Sequence, residues 1–134
     1  MMDAQTLNEL GADKLPGLLG VVLTEVSTEE IRAELKIRQA HLAPNGFLHA
    51  GTVVTLADTC CGNGCIAHLP EGAAGFTTIE LKSNHVGTAR DGVIECIAKP
   101  VHKGRTTQVW DAVVKHTTTQ KTLAHFRCTQ FILY

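Results

Sequence analysis

The chain has 134 residues, of which 44% are apolar, with 12 basic and 13 acidic side chains and a formal charge of −1. A chain of this size and greasiness folds as one domain, residues 1–134, without staples, which excludes disorder. The near balance of charge removes any general attraction to nucleic acid or to an anionic membrane, so neither is expected as a partner.

In chain order, Asp3 to Leu10 reads as a short helix with Leu7 and Leu10 on one side, making residues 1–14 a helix or arm. Leu18 to Val26 is rich in Val and Leu and reads as a strand, and Ser27 to Glu30 as a hairpin turn. Ile31 to Ile37 alternates apolar and polar residues, the pattern of a half-buried strand. His41 to Gly51 contains Pro44, Gly46 and Gly51 and reads as a loop. Gly51 to about His68 is the longest predicted helix. Phe76 to Val86 alternates, with Thr77, Ile79, Leu81 and Ser83 on one face; Val93 to Val101, Thr106 to His116 and Leu123 to Leu133 follow as strands. Asp91-Gly92 is a tight-turn signal, and Gly104 separates the strands on either side of it. This order predicts an α+β domain, an antiparallel sheet of about five to six strands wrapped around one long helix. No apolar run approaches the ~20 residues of a membrane helix, and Met1-Met2-Asp3-Ala4-Gln5 lacks a basic and apolar leader. Five cysteines, three of them crowded at Cys60, Cys61 and Cys65, point to a reducing compartment, the cytoplasm.

The long helix has an unusual composition. From Gly51 to Cys65 it carries no aromatic residue and no Lys, Arg or Glu. Gly62 and Gly64 each cost roughly 1 kcal/mol of helix propensity against Ala, so tertiary packing must outweigh them. Thr52, Thr55, Thr59 and Asn63 form one polar stripe at 100° per residue. Asp58 lies at its border, the only ionisable group on the helix before His68, between Gly51 and Gly62. A carboxylate there needs a partner or shifts its pKa upward, towards the strength of a general base. A plain dipole or loop contact is the alternative reading. Immediately upstream, His49-Ala50-Gly51 delivers free backbone N–H groups at the helix start, which suit an oxyanion.

The stretch His41-Leu42-Ala43-Pro44-Asn45-Gly46-Phe47-Leu48-His49-Ala50-Gly51, followed by Leu56-Ala57-Asp58 and later by Gly104-Arg105-Thr106-Thr107, resembles hot-dog-fold thioesterases of the phenylacetate-degradation (PaaI-like) type, which share a broader group with 4-hydroxybenzoyl-CoA thioesterase. The resemblance covers about residues 15 to 134. It implies a hot-dog fold and a homodimer joined sheet edge to sheet edge, assembling into a homotetramer. It also implies hydrolysis of an acyl-CoA thioester, with CoA as part of the substrate and no separate cofactor. By that likeness Asp58 is the general base or the nucleophile, and the Ala50 amide polarises the thioester carbonyl. Thr78 is the hydroxyl residue contributed by the partner subunit. Many members carry Asn or Gln where this chain has Ala43; the nearest amide side chain is Asn45. The usual His-Gly-Gly is here His49-Ala50-Gly51.

His102-Lys103-Gly104-Arg105-Thr106 is the one local basic cluster, a candidate for the CoA phosphates or else a solvated turn. Asn84 and His85 are candidates for the acyl or CoA tunnel, with Lys82 and Arg90 weaker ones. His49 is read as orienting the loop, with a base role as the alternative. The cysteines are read as small core hydrophobes rather than zinc ligands, since adjacent helical cysteines point about 100° apart. Trp110 is read as core or interface. Two other functions compete: a hot-dog hydratase, and a non-catalytic acyl-CoA sensor or scaffold.

Overall fold

The computed structural model describes residues 1–134. α1 (Ala4–Gly11) begins at Asp3, whose carboxylate accepts the Thr6 N–H at 2.8 Å. The first two residues of the predicted first strand, Leu18 and Leu19, instead end a second helix, α2 (Leu15–Leu19). Pro16 sits in its first turn, where a missing N–H costs nothing, and Gly20 ends it. The strand therefore starts three residues later than expected, at Val21.

Six strands follow: β1 (Val21–Val26), β2 (Ile31–Lys36), β3 (Gly75–His85), β4 (Val93–Lys103), β5 (Thr107–His116) and β6 (Thr122–Leu133). They form one antiparallel sheet in the order β1-β2-β4-β5-β6-β3. β3 and β4 are not neighbours, so Asp91-Gly92 ends a crossover rather than a hairpin. α3 (Ala50–Ala67) lies against the sheet and touches all six strands. This is the predicted hot-dog arrangement of sheet around helix.

The helix can do this because it is thin. Cys60, Cys61 and Cys65 are fully buried, and Gly64 lies beneath Trp110. A Cβ at Gly64 would sit 2.7 Å from two atoms of the indole and 3.0 Å from Ile31. Trp110 is core: its Nε1 donates to Gln108 at 2.8 Å, Gln108 donates to the His68 carbonyl at 2.9 Å, and its ring meets His68 edge-on at 5.3 Å. A buried chain of hydrogen bonds thus ties the end of α3 to β5 without an unpaid indole or amide. All five cysteines are free and buried. The Cys128 thiol beside Cys61 and the Cys60 thiol beside Cys96 hold these two thiols well above the usual range, with burial adding to the effect. Burial, with a further push from Cys128, takes Cys65 to about 12. These thiols stay neutral and unreactive at pH 7.

β3 departs from simple alternation. A register shift between Thr78 and Glu80 leaves Ile79 unpaired. Before it, Thr77 pairs with exposed Phe131; after it, Leu81 and Ser83 pair with buried Cys128 and Phe126. Thr77, Ile79, Leu81 and Ser83 therefore do not share one face as predicted, because one extra residue reverses the parity of the strand. A second shift, between Pro100 and His102, carries β4 on to Lys103, so the basic cluster is half strand and half turn.

Gly64→Ala is the sharpest test of this packing. The substitution gains roughly 1 kcal/mol of helix propensity, but overpacking costs about 1–3 kcal/mol. A net loss of stability is expected in urea denaturation, and a gain would show that α3 does not press on Trp110.

Candidate active site

The loop before α3 is held from both sides. The buried His41 ring is fixed by the Arg38 N–H donating to Nδ1 at 2.8 Å, while Nε2–H donates to the Leu19 carbonyl at 2.7 Å. The His41 carbonyl in turn accepts the His49 N–H at 3.0 Å and the Thr52 hydroxyl at 3.0 Å. On the other side Leu48 N–H donates to Ala89 at 2.8 Å, and the Arg90 guanidinium lies 4.2 Å over the Phe47 ring. The loop is thus a rigid lead-in to the helix.

Of the three amides expected to be free at the helix start, two are used. His49 N–H goes to His41, and Gly51 N–H donates to His49 Nδ1 at 2.7 Å. Thr52 and Val53 donate to the His49 carbonyl. Ala50 N–H alone has no acceptor within the chain, as the first residue of a helix should. The same bond occupies Nδ1 of His49, which caps the helix. Asn45 is also occupied: its Oδ1 accepts the Phe47 N–H at 3.1 Å in an exposed turn, and its side chain does not reach the Asp58 cleft.

Asp58 faces a cleft of about 290 Å³ between α3 and the N-terminal arm. Its Oδ1 is buried and has no hydrogen-bond partner. Burial alone pushes its carboxyl above the usual carboxylate range, with no nearby charge to counter it. A buried oxygen without a partner is costly unless a ligand uses it. Thr59, Gly62, Asn63 and Ile66 of the same helix share this cleft, with Phe76 and Thr78 of β3. The space beside Gly62 is partly taken by the Phe76 ring, 3.1 Å from where a Cβ would stand. Thr78 lines the cleft of its own chain, and its hydroxyl donates to buried Gln130 at 2.7 Å. The polar stripe bonds back to the main chain: Thr55 donates to Gly51, Asn63 to Thr59 and the buried Thr52 to His41.

The remaining candidates lie elsewhere. Lys103, Gly104 and Arg105 share a depression with His68, Leu69 and Pro70 at the far end of α3. The edge of the His102 ring lies beside Gly104, 2.7 Å from where a Cβ would stand, and the Thr106 carbonyl accepts the Ile132 N–H at 2.9 Å. Asn84 and His85, taken together as tunnel residues, point to opposite faces. Asn84 pairs with exposed His125 and joins an outer groove with Lys82 and Arg127, while His85 pairs with buried Ala124. Sequence reasoning gave no role to Phe76 or to the latch His41; a histidine opening a Gly/Pro loop is the only signal for the latter.

A carboxyl whose pKa is raised on folding contributes stability below its unfolded value of 3.8, and that contribution is lost as pH rises through the folded value. At pH 7 the ionised group therefore opposes folding. Asp58→Asn is expected to melt at an equal or higher temperature at pH 7, with the gap closing below about pH 4. Thermal melts at both pH values check this, and a lower melting temperature at pH 7 contradicts it.

Residues 45–123 match the sequence profile of the thioesterase superfamily. The 1,4-dihydroxy-2-naphthoyl-CoA hydrolase of Escherichia coli is 30% identical over 108 residues, covering 79% of this chain and 77% of the relative. A mutant thioesterase of Pseudomonas aeruginosa superposes with a TM-score of 0.93 at 26% identity, over 99% of this chain and 95% of that one. The Escherichia coli PaaI protein from the phenylacetic acid degradation operon shares the fold at a TM-score of 0.85 and 19% identity, over 98% and 91% of the two chains. With a profile that spans more than half of its residues and a hot-dog sheet around a single long helix, the chain belongs to the thioesterase superfamily.

Proposed function

We propose that the protein hydrolyses an acyl-CoA thioester, aryl or medium-chain, to the free acid and CoA. The observation that carries this is the desolvated carboxylate of Asp58, with Oδ1 unpartnered, facing a cleft. Such a group accepts a proton from water as the hydroxide adds to the thioester carbon, or adds to that carbon itself to form a mixed anhydride, which water then cleaves to the free acid, restoring the carboxylate. The Ala50 N–H, free and at the positive end of α3, receives the developing oxyanion. Collapse of the tetrahedral intermediate expels the CoA thiolate, which takes up a proton.

One helix cannot bring these two groups together. Eight residues at 1.5 Å separate Ala50 from Asp58 by about 12 Å along the axis, too far to hold one carbonyl between them. The reading therefore pairs Asp58 of one copy with Ala50 of another. β3 supports such a homodimer: it is eleven residues long, its outer edge is unpaired, and Ile79 and Leu81 on it are 59% and 43% exposed. Association of two dimers would give the homotetramer. Lys103 and Arg105 would meet CoA phosphates, with Gly104 allowing close approach. No helix is long and apolar enough to cross a membrane; the five free thiols support a cytoplasmic location.

Two variants test the assignment by release of free CoA thiol. Asp58→Asn is expected to lower kcat by a factor on the order of 10² or more; wild-type rates on every acyl-CoA tried would refute its role. Ala50→Pro removes only the N–H in question. Proline is tolerated at the first helical position, and His49 before it is already extended (φ −70°, ψ 134°). The variant is expected to fold normally and to lose about 10²–10³ in kcat.

A further inference from the structure

The cleft beside Asp58 is closed on one side by residues that precede the stretch matched to the superfamily. α1, the turn after it and α2, residues 4–19, form a helical hairpin packed over β1. It is built as a fixed wall. Leu7 is 2% exposed and belongs to the core. The Asn8 amide bonds the main chain of Leu23 in both directions, donating to its carbonyl at 3.0 Å and accepting its N–H at 2.8 Å. A Cβ at Gly17 would stand 2.0 Å from the Ala12 carbonyl oxygen, so the two halves of the hairpin meet backbone to backbone. Towards the cleft this wall presents Leu10, Pro16 and the charged Lys14, opposite Ile66 and Phe76.

We propose that this hairpin sets the size of the acyl group, with Leu10 as a specificity-determining residue. The proposal rests on the thioesterase reading above. A cavity of ~150 Å³ is filled by benzene. The cleft, at about 290 Å³, takes an acyl group of one or two rings, or an aliphatic chain of comparable volume. A long fatty chain would overrun the hairpin, which is tied down at two points: a paired amide joins it to β1, and α2 at Gly17 lies too close to the Ala12 carbonyl to admit a side chain. Leu10 is 59% exposed, so it can be changed without opening the core.

The test is kcat/KM, read as CoA thiol release, over benzoyl-, naphthoyl-, hexanoyl-, decanoyl- and palmitoyl-CoA for the wild type, Leu10→Ala and Leu10→Trp. The wild type is expected to favour acyl groups up to naphthoyl or decanoyl and to reject palmitoyl. Leu10→Ala should shift the decanoyl-to-hexanoyl ratio upward by about threefold to tenfold, and Leu10→Trp should lower the naphthoyl-to-benzoyl ratio by a similar factor. An active wild type whose acyl profile is unchanged in both variants overturns the hairpin's role. A wild type that releases thiol from none of the five overturns the thioesterase reading and the hairpin's role with it.

Discussion

The structure depends on how closely α3 approaches the sheet. Gly64 leaves room for the Trp110 ring, and the small cysteines fill the rest of the contact without spacing the layers apart. Glycine and cysteine are poor helix formers in isolation, so α3 is stable because the sheet surrounds it. The hydrogen bonds from Trp110 to Gln108 and from Gln108 to His68 fix the helix end to the same strand. Together these contacts set the rotation and depth of α3, and hence where Asp58 points.

That placement gives the carboxylate its chemistry. A helix buried on most sides leaves Asp58 with little water and one oxygen without a partner. The cost is borne by the packing of the rest of the helix, as is common where a group is held ready for a ligand. The other end of the helix contributes differently. There, a rigid loop latched by His41 uses up every early amide except that of Ala50. The open carboxylate and the open amide therefore lie on different turns of one helix, and it is the proposed thioesterase reading that ties them to the unpaired β3 edge.

The N-terminal hairpin adds a third constraint. Its backbone contact at Gly17 and the two-way bond of Asn8 give the cleft a wall as firm as the sheet. The proposed discrimination by shape follows from such walls, which yield to a larger group only by breaking bonds elsewhere.

Much of this was legible in the sequence by itself. Strand and helix order followed from periodicity and glycine placement, because alternation and small-residue runs reflect burial directly. Asp58 stood out because it is the lone charge on an apolar helix. The chain's resemblance carried the fold and the chemistry. Tertiary structure decided the rest. Whether Leu18 and Leu19 formed strand or helix depended on Pro16 and on packing over β1. Which residues of β3 shared a face depended on one bulge at Ile79, which no local pattern announces. The use of the His49 and Gly51 amides depended on a histidine ring and a distant carbonyl. Periodicity records which residues are buried; only the folded chain decides which hydrogen bonds are left open, and at Ala50 and Asp58 those open groups are the candidate site.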